Sequence, residues 1–277
     1  MPKSDHADLT AMPWVANCCP PVLTNVLPPG SLPKRLEALA WSHPIYVRGT
    51  LSEAPAVAIV GSRAASGLGM ERAHALARHL GDRGVHVVSG GALGIDGAAH
   101  RGLLAARGTG TTTVVLGSGC DVAYPERHAP LFEQVLAAGG ALVSRLEDGV
   151  QPRRGTFLSR NPLIAALADV VVVIEADARS GSLATARAAR RYGRIVVAWP
   201  GSRGCELLLA DGAAMVEHEG DVDAALAGEP RMRTQVLEPD VAAVRAALDQ
   251  GACSTEAIVT LTRLPVRVVL RALARLS

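Results

Sequence analysis

From Val57 onward the chain alternates short apolar runs with segments in which apolar residues return every three or four positions. Val57–Val60, Val85–Ser89, Thr111–Gly117, Ala141–Ser144, Val170–Glu175 and Ile195–Ala198 read as strands, with an earlier one near Ile45–Arg48 and a short last unit at Glu206–Leu209 and Ala214–Val216. The intervening periodicity predicts helices ending near Leu80, Arg107, Ala138, Leu167 and Tyr192. The stretch Gly149–Phe157 reads as a long loop. The strands are near-continuous Val/Ile runs, the pattern of strands covered on both faces. Strand–helix repetition then predicts an α/β fold with a doubly wound, mostly parallel sheet and right-handed crossovers.

Residues 1–35 are proline-rich and read as an irregular leader, residues 36–220 as the main domain and residues 221–239 as a linker. Residues 240–277 form a small helical module. Asp240–Leu248 is one helix, Ser254-Thr255-Glu256 opens a second, and Pro265-Val266-Arg267 opens a third. The turn between the last two suggests a helix-turn-helix, with a packing module as the alternative.

Composition narrows the class. The 277 residues are 49% hydrophobic and 19% charged, as in a folded domain, with only 3% aromatic. The net charge of +2 says little about partners, but the basic set is almost all arginine, with Lys3 and Lys34 the sole lysines. Arginine gives planar, bidentate contacts to phosphate. Five cysteines without a Cys-x-x-Cys pair argue against a disulfide framework or a zinc site, and no cofactor is expected. Acidic residues near the start and the lack of an 18-residue apolar run predict a soluble, cytoplasmic protein with no membrane association.

Ligands of open parallel sheets bind beyond the C-terminal strand ends. Three loops there are rich in Gly and Ser: Gly61-Ser62-Arg63 with Ser66-Gly67-Leu68-Gly69, Ser89-Gly90-Gly91 running on to Asp96, and Arg179 with Ser180-Gly181-Ser182. Small residues let amides approach an anion, and the helix that follows points its positive end there. No G-x-G-x-x-G follows the first strand, no acid ends the second, and no Walker loop exists, which argues against a dehydrogenase or an NTPase. Asp96 and His100 share a helix face, either as a catalytic pair or as a cap and a packed histidine. Glu175 reads as structural and Cys120 as a small loop residue. Arg153-Arg154-Gly155-Thr156-Phe157 with Arg160-Asn161 is basic around one aromatic, either a strand-stacking surface or a solvated loop.

Taken in order, Val57–Arg63, Ser89-Gly90 with Gly94-Ile95-Asp96 and His100, Tyr124-Pro125, Phe157 with Arg160-Asn161, Glu175-Ala176, Ser180-Gly181-Ser182-Leu183 and Pro200-Gly201 resemble the DNA-processing protein A (DprA, or Smf) family over residues 33–218. The resemblance implies a Rossmann-like domain that binds single-stranded DNA without chemistry. It implies protection of incoming strands in natural transformation, loading of the RecA recombinase, and a homodimer. It carries DNA contact to Gly61, Ser62, Arg63, Arg154 and Phe157, and further to Ser89, Gly90, Gly91, Arg160, Asn161, Ser180, Gly181 and Ser182. The C-terminal module then reads as a truncated winged-helix-like unit. Gly91, Leu93, Arg145 and Pro162 depart from the family pattern, which usually has Leu at 91, Lys or Arg near 93, Glu at 145 and Arg at 162. The alternative is a nucleotide phosphoribohydrolase of the lysine-decarboxylase-like (LOG) type, whose Pro-Gly-Gly-x-Gly-Thr-x-x-Glu motif is echoed in Pro200–Glu206, or a nucleotide-sensing module of that related fold.

Overall fold

The computed structural model describes residues 23–233 and 239–276, which divide into two compact units at Met232/Arg233. In the first unit nine strands form one sheet: β1 (Asn25–Leu27), β2 (Ile45–Gly49), β3 (Ala56–Val60), β4 (His86–Ser89), β5 (Thr112–Val115), β6 (Ala141–Ser144), β7 (Val170–Val173), β8 (Ile195–Ala198) and β9 (Ala214–Met215). Their order is β1-β2-β6-β5-β4-β3-β7-β8-β9. The seven strands from β6 to β9 run parallel, and β1 and β2 add an antiparallel edge.

Among the described residues nine α-helices accompany the sheet: α1 (Lys34–Glu37), α2 (Gly67–Asp82), α3 (Ile95–Leu104), α4 (Ala129–Ala137), α5 (Arg154–Ser159), α6 (Asn161–Ala166), α7 (Ser182–Arg191), α8 (Arg203–Ala210) and α9 (Glu219–Leu226). Alternate strand residues feed two cores. Val57, Ile59, Val170 and Val172 pack with Leu76 and Leu80 of α2, while Ala58, Val60, Val171 and Val173 pack with Leu163 of α6 and Ala186 of α7. This two-sided cover is why the strands show no polar alternation. Each fully buried valine or leucine contributes about 1.5–3 kcal/mol.

The structure moves three boundaries. The expected leader contributes β1 and the first two residues of α1, Lys34 and Arg35; its first 22 residues lie outside the described residues. The expected linker from residue 221 begins later, because α9 docks Val222 and Ala225 into the core and Asp221 accepts from the Glu217 and His218 amides (2.8 and 3.2 Å). The expected loop ends at α5, which starts at Arg154.

The second unit holds α10 (Pro239–Asp249), α11 (Thr255–Thr262) and α12 (Val266–Leu276) around Val241, Val244, Ile258 and Val269. Ser254 caps α11 by accepting from the Ala257 amide (3.1 Å), and Arg263 takes the left-handed conformation (φ 57) in the turn to α12.

Candidate functional site

The chain winds outward from β3 through β4 and β5 to β6, then returns to place β7 against the other side of β3. The loops leaving β3 and β7 therefore diverge, and a switch point of this kind opens a crevice at the C-terminal strand ends. A cavity of about 370 Å³ lies there, lined by Gly61–Ala64 from one loop and Asp177 and Arg179–Ser182 from the other.

The first loop is held from beneath. The Ser62 amide donates to the Glu175 carbonyl (2.7 Å), and the Ser62 carbonyl accepts from the Ile95 amide (3.2 Å). The Glu175 carboxylate accepts from the Ser66 amide and hydroxyl, the latter at 2.6 Å, and Ser66 Oγ caps α2 by accepting from the Gly69 amide (3.0 Å). Glu175 is thus the structural brace expected of it. Arg63 remains exposed at the cavity mouth.

The second loop stands behind the cavity rather than in it. Ser89 is fully buried and donates to the Ile59 carbonyl (2.6 Å). Gly91 has φ +69, and its carbonyl accepts from His128 Nδ1 (3.0 Å). Arg160, only 5% exposed, donates from Nη1 to the Gly90 carbonyl and to the Val115 carbonyl (2.9 Å). A Cβ on Gly90 would sit 2.6 Å from Arg160 Nη2 and 2.8 Å from Asp96 Oδ2. Burial raises the Asp96 pKa, with Arg160 and the Ala92 amide opposing; burial also pulls the Arg160 guanidinium down to about 10. Ser89, Gly90 and Gly91 do not line the cavity, whereas Ala92, Asp96 and Arg160 do. Asp96 lies inside α3, past the Gly94 cap position. His100 is fully buried with Nδ1 2.8 Å from Thr112 Oγ1, and burial lowers its pKa to about 3. It does not line the cavity, so no Asp96–His100 pair is assembled there.

The remaining wall comes from α5, α6 and α7. Thr156 fixes the start of α5 by accepting from the Arg153 amide (3.0 Å) and donating to its carbonyl (2.8 Å). Asn161 Nδ2 donates to the Gly181 carbonyl (3.1 Å), tying α6 to the third loop. Ser180 Oγ lies 2.7 Å from Ser182 Oγ at the start of α7, whose ten residues direct their positive end at the cavity. Phe157 is half-buried, its ring packed over Gly117, where a Cβ would lie 2.8 Å from the ring. The guanidinium carbons of Arg63 and Arg160 stand 5.0 and 5.6 Å from its centroid. Arg154 is exposed on α5, outside the cavity lining.

The family model for DNA recombination-mediator protein A matches residues 30–227. The chain belongs to that family. It is 46% identical over 173 residues to the putative DNA processing protein DprA of Mycobacterium tuberculosis, covering 60% of this chain and 44% of that one. It is 38% identical over 198 residues to protein Smf of Escherichia coli K12, covering 69% and 52%. The chain thus spans about half the length of these curated relatives. Among solved structures, DprA of Streptococcus pneumoniae superposes with a TM-score of 0.66 at 35% identity, over 73% of this chain and 74% of that one. DprA of Helicobacter pylori, whose structure is described as revealing a single-stranded DNA binding mode, gives 0.66 at 30% identity, over 75% and 97%.

The departures from the family pattern have local explanations. At Gly91 a Cβ would meet Val114 Cγ1 at 2.6 Å and the Phe132 ring at 2.9 Å, so the usual leucine does not fit this backbone. Arg145 lies over the Trp41 ring (5.6 Å) and donates to the Ser159 carbonyl (3.0 Å). Pro162 sits in the first turn of α6, where its missing N–H costs nothing.

The cavity joins cations Arg63, Arg160 and Arg179 with carboxylates Asp96 and Asp177 and apolar Leu158. Asp177 and Leu158 are unmarked in sequence; Arg179 was visible only as a flank of the serine loop. Cys120 is buried, and burial pushes its thiol up to about 12, as suits a small packed residue. Glu206, on which the hydrolase alternative rests, accepts from the Gly201 amide (3.0 Å) and does not line the cavity. Among the described residues no three His, Cys, Asp or Glu side chains could hold a metal, and no helix is long and apolar enough to cross a membrane.

Proposed function

We propose that this protein binds single-stranded DNA without catalysing a reaction on it. The observation that carries the reading is the switch-point cavity, closed by the Gly61-Ser62-Arg63 loop on one side and by the α7 N-terminus with Arg179 on the other. Phosphates are held by these two loops and by Arg63, with Arg154 as a contact farther along the strand. Ser62, Ser180 and Ser182 supply hydroxyls. Ser89, Gly90, Gly91, Arg160 and Asn161 contribute by holding the walls. The H. pylori relative, described by its single-stranded DNA binding mode, supports the ligand class.

From the same resemblance we infer protection of incoming strands, RecA loading, a homodimer and a cytoplasmic location. Residues 205–216, which include the exposed Leu207 on α8 and the end strand β9, are the segment we assign to the dimer contact. The test is a titration of labelled single-stranded and duplex oligonucleotides at two salt concentrations. Single strands bind tighter, and affinity falls with salt as counterions leave. Arg63→Ala weakens binding roughly tenfold and lowers the salt slope by about 0.7; Arg154→Ala weakens it less. Equal affinity of wild type and Arg63→Ala at both salts would sink the assignment.

A further inference from the structure

We propose that Tyr124 is the ring on which this protein stacks a nucleobase, and that Phe157 is its support; the proposal rests on the single-strand reading above. The sequence points to Phe157 as the stacking aromatic, but the ring is half-buried and already carries neighbours. Gly117 lies against it, the Arg63 and Arg160 guanidinium groups stand 5.0 and 5.6 Å from its centroid, and the Tyr124 ring packs at 5.0 Å with planes 37° apart.

Tyr124 is itself 44% exposed, and it is the sole exposed Phe, Tyr or Trp among the described residues. It borders a second, small hollow of about 50 Å³ together with Leu93 and Pro125, with Arg63, Ala92, Phe157 and Arg160 as the wall shared with the main cavity. Leu93, Pro125 and the Tyr124 ring give that hollow an apolar surface, which suits a base face rather than a phosphate. The Arg63 guanidinium carbon and the Tyr124 ring lie at equal distance, 5.0 Å, from the Phe157 centroid. The two are therefore no more than about 10 Å apart, a separation that a nucleotide with its phosphate on Arg63 spans to bring its base to Tyr124.

The backbone under the ring is fixed before any ligand arrives. Ser118 Oγ donates to the Val122 carbonyl (2.7 Å), the Val122 amide to the Gly119 carbonyl (3.1 Å), and the His128 amide to the Pro125 carbonyl (2.8 Å). Little ordering is left to do on binding, so stacking is realised almost in full. Every base has a π-face, so this subsite is tolerant of sequence.

The experiment compares a thymidine oligonucleotide with one of equal length carrying abasic residues, against wild type, Tyr124→Ala, Tyr124→Trp and Arg63→Ala. Wild type prefers the thymidine strand. Tyr124→Ala loses roughly 5- to 150-fold on that strand and nothing on the abasic one. Tyr124→Trp keeps the preference, and its added indole emission is quenched by the thymidine strand alone. A Tyr124→Ala loss equal on both strands, or an indole at 124 indifferent to bases, overturns the proposal. Arg63→Ala weakens both strands. If Arg63→Ala weakens both while the Tyr124 variants alter neither, the subsite alone fails; if wild type binds neither strand, the single-strand reading fails with it.

Discussion

Replacing Arg160 with alanine separates a ligand contact from a structural pillar. The side chain is 5% exposed and donates to two buried carbonyls, Gly90 and Val115. Charge-assisted hydrogen bonds of this kind contribute about 1.5–3 kcal/mol each. The variant also strips the buried Asp96 of the cation that opposes its desolvation, and an uncompensated buried charge costs about 3–5 kcal/mol. These terms overlap, so we expect a loss of about 4 kcal/mol at pH 7.5. The Asp96 pKa already lies above its unfolded value and rises further in the variant. Its penalty is absent below the unfolded pKa and grows as pH rises toward the folded one. The loss in Arg160→Ala is therefore smaller at pH 4.5 than at pH 7.5, and Asp96→Asn in the same background recovers part of it. Urea unfolding followed by circular dichroism measures each, and the two substitutions form a cycle whose coupling is read directly. A loss below about 1 kcal/mol at both pH values, with a large drop in oligonucleotide affinity, would refute this account and return Arg160 to the ligand.

Two further outcomes follow from buried groups. His86 lies between Thr111 Oγ1 (2.8 Å) and Thr113 Oγ1 (2.9 Å), and burial lowers its pKa to about 4, as it lowers that of His100 to about 3. Both pKa values are depressed on folding, so the unfolded chain binds more protons. Stability is complete above about pH 6.5 and falls as pH drops toward 4, by about 1.4 kcal/mol per pH unit for each histidine. A urea midpoint unchanged between pH 7 and pH 5 would contradict this. In α3, a Cβ on Gly102 would fall on the His74 backbone carbonyl of α2. Backbone cannot yield as a side chain can, so Gly102→Ala costs about 3 kcal/mol and lowers the thermal midpoint by roughly 6–12 °C; an unaltered melt would show that α2 and α3 can separate freely.

Local pattern went far toward the fold because burial on both faces leaves an unbroken apolar run. Val57–Val60, Ala141–Ser144 and Ile195–Ala198 match the observed strands to within a residue. Segments whose structure depends on a partner were harder to see. Asn25–Leu27 is extended because β2 offers it a ladder, not because of its residues. Residues 219–226 carry three acidic residues and a glycine, and become a helix where Val222 and Ala225 meet the sheet. Arg154–Ser159 has no apolar period and forms α5 through the Thr156 side chain.

For the site, sequence by itself determined that Gly- and Ser-rich loops follow β3, β4 and β7, because only small residues serve such tight strand–helix turns. It could not rank them, since Ser89-Gly90-Gly91 and Ser180-Gly181-Ser182 look alike in composition. Strand order ranked them. β7 returns to the open side of β3, so its loop and the β3 loop part and leave a cavity; β4 lies on the other side of β3, and its loop is roofed by Arg160. The same tertiary packing set two guanidinium groups against the half-buried Phe157 ring and left Tyr124 facing water. Which glycines meet the ligand and which ring meets a base are thus properties of how strands are ordered, because a loop's neighbours are set by the sheet and not by the loop.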